Sequence, residues 1–365
     1  MKILKLLLMV LLPLTAYLLL WPVTIDPQSW TPGTAPSLSE GPYAANNKLK
    51  NIERLADGYG VGPEAINVDA DGRIVTGFLD GRVVRFAADG SKAEVLANTG
   101  GRPLGITFDD QGHVIVADAR KGLLRITNDT QTTVTALSTE ADGLALGFTD
   151  DADRDSSGKN IFFSDASYKF HFGEHMADTL EHGANGRLLQ YNTDTKTTKV
   201  LLKDLHFANG IAVGPEDAYV LVNETSEYRV TRYWLKGEKA GTHDTFIENL
   251  PGFPDNITFN GRDRFWVALF APRDDMLDKL LPAGNEWLRK LVFRLPAFTQ
   301  PKPKMRSFAI ALDLNGKLVA NLQYEGEGAY APITSVREAG DTLYFGSLTN
   351  TAIGRLPLKQ ALNLP

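Results

Sequence analysis

The sequence contains no cysteine among its 365 residues. That absence excludes disulfide bonds, thiol chemistry and a lipid anchor on an N-terminal cysteine. Basic residues are not in excess either, since 38 lysines and arginines stand against 44 aspartates and glutamates and the formal net charge is −6. A chain with this balance lacks the positive surface that nucleic acids require, and we expect no nucleic-acid partner.

Long apolar runs are scarce, with one exception at the N-terminus. Lys2 and Lys5 precede a stretch from Leu6 to Ile25 that carries no charge and is 20 residues long. That length suffices to cross about 30 Å of hydrocarbon. A cleaved signal peptide would have a shorter apolar core and a small-residue cleavage site, which are not evident here. We therefore predict an uncleaved signal anchor, a transmembrane helix, over residues 1–25.

The N-terminal prediction also sets the location of the rest of the chain. Residues 26–50 are rich in proline, serine, glycine and asparagine, and are interpreted as a linker. The remainder, residues 51–365, is expected on the exported side of the membrane, periplasmic or luminal. If the N-terminal segment were cleaved, the protein would instead be secreted.

Helical periodicity is largely missing after the linker. Short runs rich in valine, isoleucine and phenylalanine alternate with turns such as "DADG", "DDQG" and "DLNG", which is typical of antiparallel β structure. One frame recurs, with an apolar strand and a second strand ten residues on. It begins at Glu64, Leu104, Asp142, Asn209, Asp255 and Thr334. Six such units favour an all-β, six-bladed β-propeller over a β-sandwich, and the apolar stretch in 271–305 predicts a short helical insertion.

The first residues of this frame are candidate ligands for a cation. The innermost strands of a propeller line a central channel, so these positions should meet at one mouth. Four of them carry side-chain oxygens, namely Glu64, Asp142, Asn209 and Asp255. Like charges in a narrow channel repel unless a cation lies among them, and Ca²⁺ accepts such oxygens whereas zinc prefers histidine and cysteine. The alternative is that they are solvated residues at strand starts.

Several long motifs resemble a known family. "GRLLQYNTDTKTTKVLLKDLHFANGIAV", "FWVALFAPR" and "LYFGSLTNTAIGRL" are similar to the strictosidine synthase-like family, which includes the adipocyte plasma-membrane-associated proteins, within the gluconolactonase–paraoxonase superfamily. The resemblance covers about residues 55 to 358. It implies a six-bladed propeller with a channel calcium held by a glutamate, two asparagines and an aspartate. Carried onto this sequence, the ligands are Glu64, Asp142, Asn209 and Asp255, with Asn256 beside them.

The sequence departs from this family pattern at three positions. Asp142 stands where the family usually has asparagine. Leu104 occupies the position at which paraoxonases carry a catalytic histidine, so the resemblance does not support a histidine-dyad mechanism. Thr334 replaces the catalytic glutamate of strictosidine synthase, so C–N bond formation between an amine and an aldehyde is not expected.

Histidines near the channel are candidate general bases. His171, His175 and His182 occur within the insertion 168–186, where they are interpreted as residues of a surface loop with one possible base among them. His206 precedes Asn209 by three residues and is expected near the channel mouth, as a candidate catalytic residue.

An acidic stretch, "DDADRDSSG", has the spacing of a calcium loop. Asp151, Asp153 and Asp155 alternate, but the glycine and the closing glutamate of an EF-hand are absent. The pattern therefore favours a solvated acidic hairpin over a second calcium site.

Together these features predict a calcium-dependent hydrolase of lactones or aryl esters that is tethered to a membrane. Calcium would polarise the carbonyl group of a small-molecule substrate, and Asp255 would activate water or attack directly. The alternative is a non-catalytic propeller that calcium stabilises and that binds a ligand or partner, because the histidine and glutamate of the relatives are missing.

Overall fold

The computed structural model describes residues 2–127, 132–300 and 302–362, and β-strands dominate this part of the chain. Six four-stranded sheets follow one another along the sequence. Within each sheet neighbouring strands are antiparallel and pair in chain order, apart from the last sheet, which also takes in the first strand. The predicted all-β, six-bladed propeller is therefore confirmed.

The first two blades follow an N-terminal helix. The chain starts with α1 (Lys2–Leu20) and β1 (Glu53–Leu55). Blade 1 consists of β2 (Ile66–Val68), β3 (Ile74–Gly77), β4 (Arg82–Phe86) and β5 (Glu94–Asn98). Blade 2 consists of β6 (Pro103–Phe108), β7 (Val114–Asp118), β8 (Gly122–Thr127) and β9 (Thr133–Ser138).

The next two blades carry additional short elements. A hairpin of β10 (Glu140–Ala141) and β11 (Leu144–Ala145) precedes blade 3. Blade 3 consists of β12 (Thr149–Arg154), β13 (Asn160–Asp165), β14 (Gly186–Asn192) and β15 (Thr197–Leu205), with α2 (His175–Glu181) between β13 and β14. Blade 4 consists of β16 (Ala208–Val213), β17 (Tyr219–Glu224), β18 (Arg229–Trp234) and β19 (His243–Ile247), with 3-10 turns at Pro215–Asp217 and Thr225–Glu227.

The last two blades contain the helical insertion. Blade 5 consists of β20 (Gly252–Phe259), β21 (Arg264–Pro272), β22 (Ser307–Asp313) and β23 (Leu318–Tyr324). Between β21 and β22 lie α3 (Asp275–Leu280), α4 (Glu286–Arg294) and a 3-10 turn (Ala297–Thr299), which confirms the predicted insertion. Blade 6 consists of β24 (Ser335–Ala339), β25 (Thr342–Gly346) and β26 (Ile353–Pro357), followed by α5 (Leu358–Leu362).

The ring of blades closes by joining the two ends of the propeller. Strand β1 completes blade 6 as its outermost strand, with Glu53 opposite Arg355 and Leu55 opposite Ile353. Closure leaves only short protected edges between blades, which removes a template for aggregation.

The innermost strands of blades 2 to 5 share one irregularity. In β6, β12, β16 and β20, two residues lie between consecutive paired positions, so the register shifts there. These two-residue bulges are Leu104–Gly105, Asp150–Asp151, Asn209–Gly210 and Asp255–Asn256. Bulges redirect side chains out of the regular alternation of a strand, and these four lie in equivalent places of their blades.

Glycine is required in one of these bulges by the close approach of the next blade. A Cβ atom on Gly210 would lie 2.4 Å from the backbone nitrogen of Ile257 in β20. No side chain fits at that distance, so the inner strands of blades 4 and 5 pack backbone to backbone. The polar residues in their bulges are thereby brought close together.

The N-terminal helix differs from the predicted anchor. Helix α1 ends at Leu20 and contains Pro13, and no helix in the described ranges is long and apolar enough to cross a membrane. The apolar run does not continue as a helix to Ile25. That side chain is 2% exposed and packs against Phe170 and Leu180 beside α2. The transmembrane helix predicted over residues 1–25 is therefore not shown, because the end of the run covers the propeller.

Residues 26–50 contain neither helix nor strand, but they lie along the propeller. The backbone nitrogen of Trp30 donates to the carbonyl oxygen of Leu281 at 3.1 Å, and that of Leu49 donates to Gln323 at 3.2 Å. This segment therefore covers blade 5 and the insertion on its way to β1.

Candidate functional site

Four of the five predicted ligands meet in the channel. Glu64, Asn209, Asp255 and Asn256 are each between 1% and 6% exposed. The Asn256 side-chain nitrogen donates to Glu64 Oε1 at 2.7 Å, and the Asn209 amide is hydrogen-bonded to the Asp255 carboxyl group. These residues come from blades 1, 4 and 5, so the fold brings together what the repeat frame had aligned.

The fifth predicted ligand, Asp142, is not in the channel, and this prediction is wrong. It occupies the turn of the β10–β11 hairpin with φ of 55°, and its side chain is 54% exposed. Its carboxylate faces Lys203 Nζ at 3.2 Å. The motif "DGLAL" resembles the start of an inner strand in sequence, but it belongs to a hairpin that precedes blade 3.

Asp150 occupies the channel position that the sequence predicts for Asp142. It is the first residue of the β12 bulge, in the position that Asn209 and Asp255 hold in their blades, and it is buried. The sequence pattern does not predict it, because the strand "TDDADR" is hydrophilic in composition. Blade spacing carried a signal, since a start at 150 gives gaps of 46 and 59 residues to its neighbours, in place of 38 and 67.

The buried carboxyl groups disfavour one another's charged forms. Burial raises the pKa of Glu64 to about 7, although the nearby Arg102 guanidinium lowers it. Burial, then the charges of Glu64 and Asp150, hold the pKa of Asp255 well above its usual range. The pKa of Asp150 is raised in the same way. Such a group of carboxyls is stable in its ionised form only with additional positive charge nearby.

Three oxygens of this group have no protein partner. Glu64 Oε2, Asn209 Oδ1 and Asn256 Oδ1 are buried and accept no hydrogen bond within the described residues. An unsatisfied buried acceptor costs about 1–3 kcal/mol. A cation bound by these oxygens removes that penalty, and an all-oxygen set of carboxylates and amides suits a hard divalent ion such as Ca²⁺. The residues present therefore fit the ion that the sequence predicted.

Arg102 is a buried cation beside this site that sequence analysis missed. Its Nη1 donates to the carbonyl oxygen of Gly62 at 3.0 Å, whereas Nε and Nη2 are buried without a partner among the described residues. Its charge lowers the pKa of both Glu64 and Asp150. Nothing in the pattern around Arg102 distinguishes it from a solvated arginine before a strand.

The two remaining frame positions hold residues that supply no charge. Leu104 is buried, and Thr334 hydrogen-bonds through its backbone, donating to Gly346 and accepting from Asn256 at 3.0 Å each. Thr334 Oγ1 also donates to the backbone oxygen of Glu64 at 3.4 Å. Thr334 therefore holds the backbone of two candidate ligands in place.

The acidic stretch of β12 is buried rather than solvated, so the predicted solvated hairpin is wrong. Asp151 Oδ2 accepts from the backbone nitrogen of Ile211 at 2.8 Å, and Asp153 Oδ2 accepts from Val213 at 2.9 Å. Asp155 instead accepts hydrogen bonds within the β12–β13 turn, for example from Asn160 Nδ2 at 2.7 Å. The three carboxylates do not converge on one point, which explains why the calcium-loop spacing is not followed by such a loop.

The four histidines predicted near the channel lie in different surroundings. His171 and His175 are exposed, whereas His182 is buried at the end of α2. His182 stacks on His206, with ring centroids 4.7 Å apart. Burial, followed by the charge of His182, lowers the pKa of His206. His206 therefore lies close to Asn209 in sequence, while its ring contacts are with another group of residues.

Comparison with solved structures defines the class of fold. A gluconolactonase from Xanthomonas campestris superposes with a TM-score of 0.59 at 16% identity, covering 92% of this chain and 98% of that one. A calcium-binding protein, regucalcin, from Agrobacterium tumefaciens superposes with a TM-score of 0.55 at 14% identity, covering 83% and 90%. At these identities the likeness establishes the propeller fold alone.

Sequence comparison establishes the family. The strictosidine synthase family matches residues 150–238, and the strictosidine synthase-like N-terminal family matches residues 41–86. The adipocyte plasma membrane-associated protein of Danio rerio is 35% identical, covering 96% of this chain and 88% of its own length. Protein strictosidine synthase-like 4 of Arabidopsis thaliana is 37% identical, covering 87% and 85%. The chain belongs to the strictosidine synthase-like family.

Proposed function

We propose that this protein is a calcium-dependent hydrolase of lactones or aryl esters. The observation that carries the proposal is a group of buried oxygens from four blades, beside carboxyls that repel one another. Three of these oxygens have no hydrogen-bond partner among the residues that the structure describes. The gluconolactonase fold of the solved neighbours supports the same reaction class. The ligands would be Glu64, Asp150, Asn209, Asp255 and Asn256.

In this proposal the channel residues have separate roles in ester cleavage. Calcium, when bound, supplies Lewis-acid polarisation of the substrate carbonyl. A carboxylate oxygen of Asp255 takes a proton from water as the water oxygen bonds to the carbonyl carbon. The same oxygen returns the proton to the leaving oxygen when the C–O bond breaks. His206, three residues before Asn209, is the second candidate base and stays a prediction.

The surroundings of the mouth favour an apolar substrate. Phe148 lies edge-on to Phe207 and Phe172, with centroid distances of 5.5 and 5.7 Å. Leu104 of the channel mouth belongs to the same apolar cluster. A lactone with an alkyl chain or an aryl ester would bury its apolar part against these rings and exclude water from the carbonyl.

The proposal includes association with a membrane, with the propeller on the exported side. Relatives in fish and mammals are named plasma membrane-associated proteins. Helix α1 exposes large apolar side chains, among them Leu12 and Leu20, and Trp21 after it is exposed as well. Flotation of the full-length chain with liposomes tests this part, and loss of flotation on Leu12→Asp with Leu20→Asp is the expected result.

A panel of lactones and phenyl acetate, assayed with the full-length chain, tests the hydrolase. We expect turnover that EDTA abolishes and that Ca²⁺ restores, and that Asp255→Asn eliminates. Asp142→Asn is the matched control, because it removes the same charge from an exposed turn. Turnover that is indifferent to EDTA, or equally lost in both variants, would contradict the proposal.

A second function is favoured by Leu104 and Thr334, which place no base or acid at two positions of the mouth. In that case the cation stabilises a propeller that binds a ligand without chemistry. A rise in Tm on adding Ca²⁺, with no hydrolysis of any substrate in the panel, would favour this second function over the first.

A further inference from the structure

Three polar side chains from separate segments meet outside the candidate calcium site. They are His182 at the end of α2, His206 between β15 and β16, and Glu227 in the turn after β17. One ligand atom of each lies within 4.8 Å of the others. Glu227 Oε1 is 3.5 Å from His206 Nε2 and 3.7 Å from His182 Nε2. Both distances are longer than those of good hydrogen bonds, so the Glu227 carboxylate faces the two imidazoles at the range of weak ion pairs.

The histidines of this trio have buried nitrogens that lack partners. His182 is 2% exposed, and neither its Nδ1 nor its Nε2 has a hydrogen-bond partner in the described chain. Nδ1 of His206 is in the same situation. Most buried polar groups are paired, and an unpaired one costs free energy, so three such nitrogens in one place indicate a missing partner.

The backbone is in an uncommon conformation at or beside each member of the trio. His182 itself has φ of 55°, Phe207 after His206 has φ of 57°, and Tyr228 after Glu227 has φ of 52°. Helices often end in this conformation, and His182 and Tyr228 end α2 and the 3-10 turn Thr225–Glu227 in this way. Three independent turns thus adopt it where they present these side chains.

We propose that His182, His206 and Glu227 bind a divalent transition metal, with Zn²⁺ as the reference ion. Two imidazoles and one carboxylate, with one position left open, form a set of ligands that zinc takes in catalytic sites, whereas the calcium site offers oxygens alone. Zinc bonds of about 2.0–2.1 Å place ligand atoms about 3.3 Å apart, and the distances of 3.5 and 3.7 Å from Glu227 Oε1 to the two imidazole nitrogens are close to that spacing. This site goes beyond the proposed hydrolase and gives His206 the role of a ligand.

Neighbouring residues orient the trio from outside. Arg229 Nη1 holds Glu227 Oε2 at 2.8 Å, which leaves Oε1 toward the histidines. Trp30 stacks on His182 with a centroid distance of 4.7 Å and an angle of 17°. The backbone nitrogen of His206 donates to Glu224 at 3.1 Å. Outer contacts of this kind fix the orientation of metal ligands.

The trio adjoins an open cleft. The cleft has a volume of about 300 Å³ and is lined in part by Trp30, Glu227 and Arg229. An ion held by the trio would therefore be reachable from solvent past Glu227, with the Arg229 guanidinium beside it. An anionic oxygen ligand suits the open position, because the metal and Arg229 are both positive.

Zinc titration of the full-length chain in saturating Ca²⁺ tests the site. We expect one Zn²⁺ per chain by elemental analysis, and visible d–d absorption bands when Co²⁺ replaces it. Affinity for Zn²⁺ should fall at least tenfold in both His182→Gln and Glu227→Gln. It should be unchanged in His175→Gln, a matched control on the exposed start of α2.

The outcomes separate this site from the calcium site. Zinc binding that Ca²⁺ displaces, that survives in Glu227→Gln, or that is absent from the unmodified chain would overturn the proposal. Because His182 is buried and its variant can fail to fold, Glu227→Gln decides alone in that event. Glutamine is of the same size as glutamate, and circular dichroism together with retained Ca²⁺ binding verifies its fold.

Discussion

Carboxylates occur in two parts of the propeller channel, the mouth (the upper part) and the part further along β12 (the lower part), and their hydrogen-bond partners differ. At the mouth, Glu64 and Asp255 accompany amide oxygens that accept no hydrogen bond in the described chain. Further along β12, Asp151 and Asp153 accept backbone hydrogen bonds from β16 at 2.8 and 2.9 Å. The two groups differ in their donors, since the carboxyls at the mouth accept from side-chain amides whereas those of β12 accept from the backbone of β16.

The difference identifies what each group of carboxylates does. In the lower part the carboxylates join blade 3 to blade 4. Burial raises the pKa of Asp153, and the hydrogen bond from Val213 and the charge of Arg337 oppose that rise. A cavity of about 10 Å³ remains there, room for about one water. At the mouth the charge of Arg102 lowers the pKa of Glu64 and Asp150, but burial raises the pKa of both more strongly. We infer that the lower residues stabilise the fold and propose that the upper ones bind a cation.

The largest expected effect comes from removing a charge at the mouth. Asp255→Asn and Glu64→Gln should each weaken Ca²⁺ binding and lower kcat/KM for a lactone at least about 100-fold, because Lewis-acid stabilisation is worth several kcal/mol. Without Ca²⁺ the same variants should be as stable as the unmodified chain or more so, since one repelling carboxyl is gone. Calorimetric titration and thermal melts measure both effects. Equal destabilisation with and without Ca²⁺ would assign these residues to the structural group instead.

The second-largest effect is expected to be a dependence of stability on pH, which should be seen in the calcium-free protein and not in the calcium-bound one. Burial raises the pKa of Glu64 from 4.5 to about 7, so the folded state binds more protons than the unfolded state between those values. Stability is therefore present below about pH 4.5 and is lost as the pH rises through about 7. Thermal melts in EDTA should show Tm falling across this window. Saturating Ca²⁺ should remove the fall, because the bound ion stabilises the ionised ligands.

Substitution of a carboxylate in the lower part of the channel should lower the stability of the protein without changing Ca²⁺ binding or catalysis. Asp153→Ala leaves the backbone nitrogen of Val213 unpaired, at a cost of about 1–3 kcal/mol. We expect Tm to fall by a few degrees, with Ca²⁺ affinity and kcat/KM of the folded fraction unchanged. Thermal melts, calcium titration and steady-state kinetics measure these three quantities. A large loss of Ca²⁺ affinity would remove the distinction between the two parts of the channel.

The same contrast explains how far sequence could predict this site. Glu64, Asn209 and Asp255 were found because each precedes an apolar strand, so their periodic position was visible. Asp150 was missed because its strand carries acids that pair with the backbone of β16, which makes a buried strand look hydrophilic. The repeat frame still fixed the number of blades, since that depends on local alternation.

Residues whose role depends on contacts between distant segments of the chain could not be predicted from the sequence. Arg102 lies 38 positions from Glu64, and its role depends on the contact between blades 1 and 2. His182, His206 and Glu227 come from three segments, and no spacing in the sequence links them. Ile25 was assigned to a membrane helix on hydrophobicity alone, although it packs beside α2. Tertiary packing decided each of these cases.

The smallest effect is expected on substitution of Asp142. This substitution distinguishes the channel strand β12 from the β10–β11 hairpin that resembles it in sequence. Its exposed ion pair with Lys203 is worth less than about 1 kcal/mol. Asp142→Asn should therefore leave Tm, Ca²⁺ affinity and kcat/KM unchanged, whereas Asp150→Asn, the matched change eight positions later, should weaken Ca²⁺ binding. Parallel calcium titrations of the two variants measure this difference. Weaker binding in Asp142→Asn with none in Asp150→Asn would return the ligand role to the β10–β11 turn, because both substitutions remove one carboxylate charge and differ only in where the fold puts it.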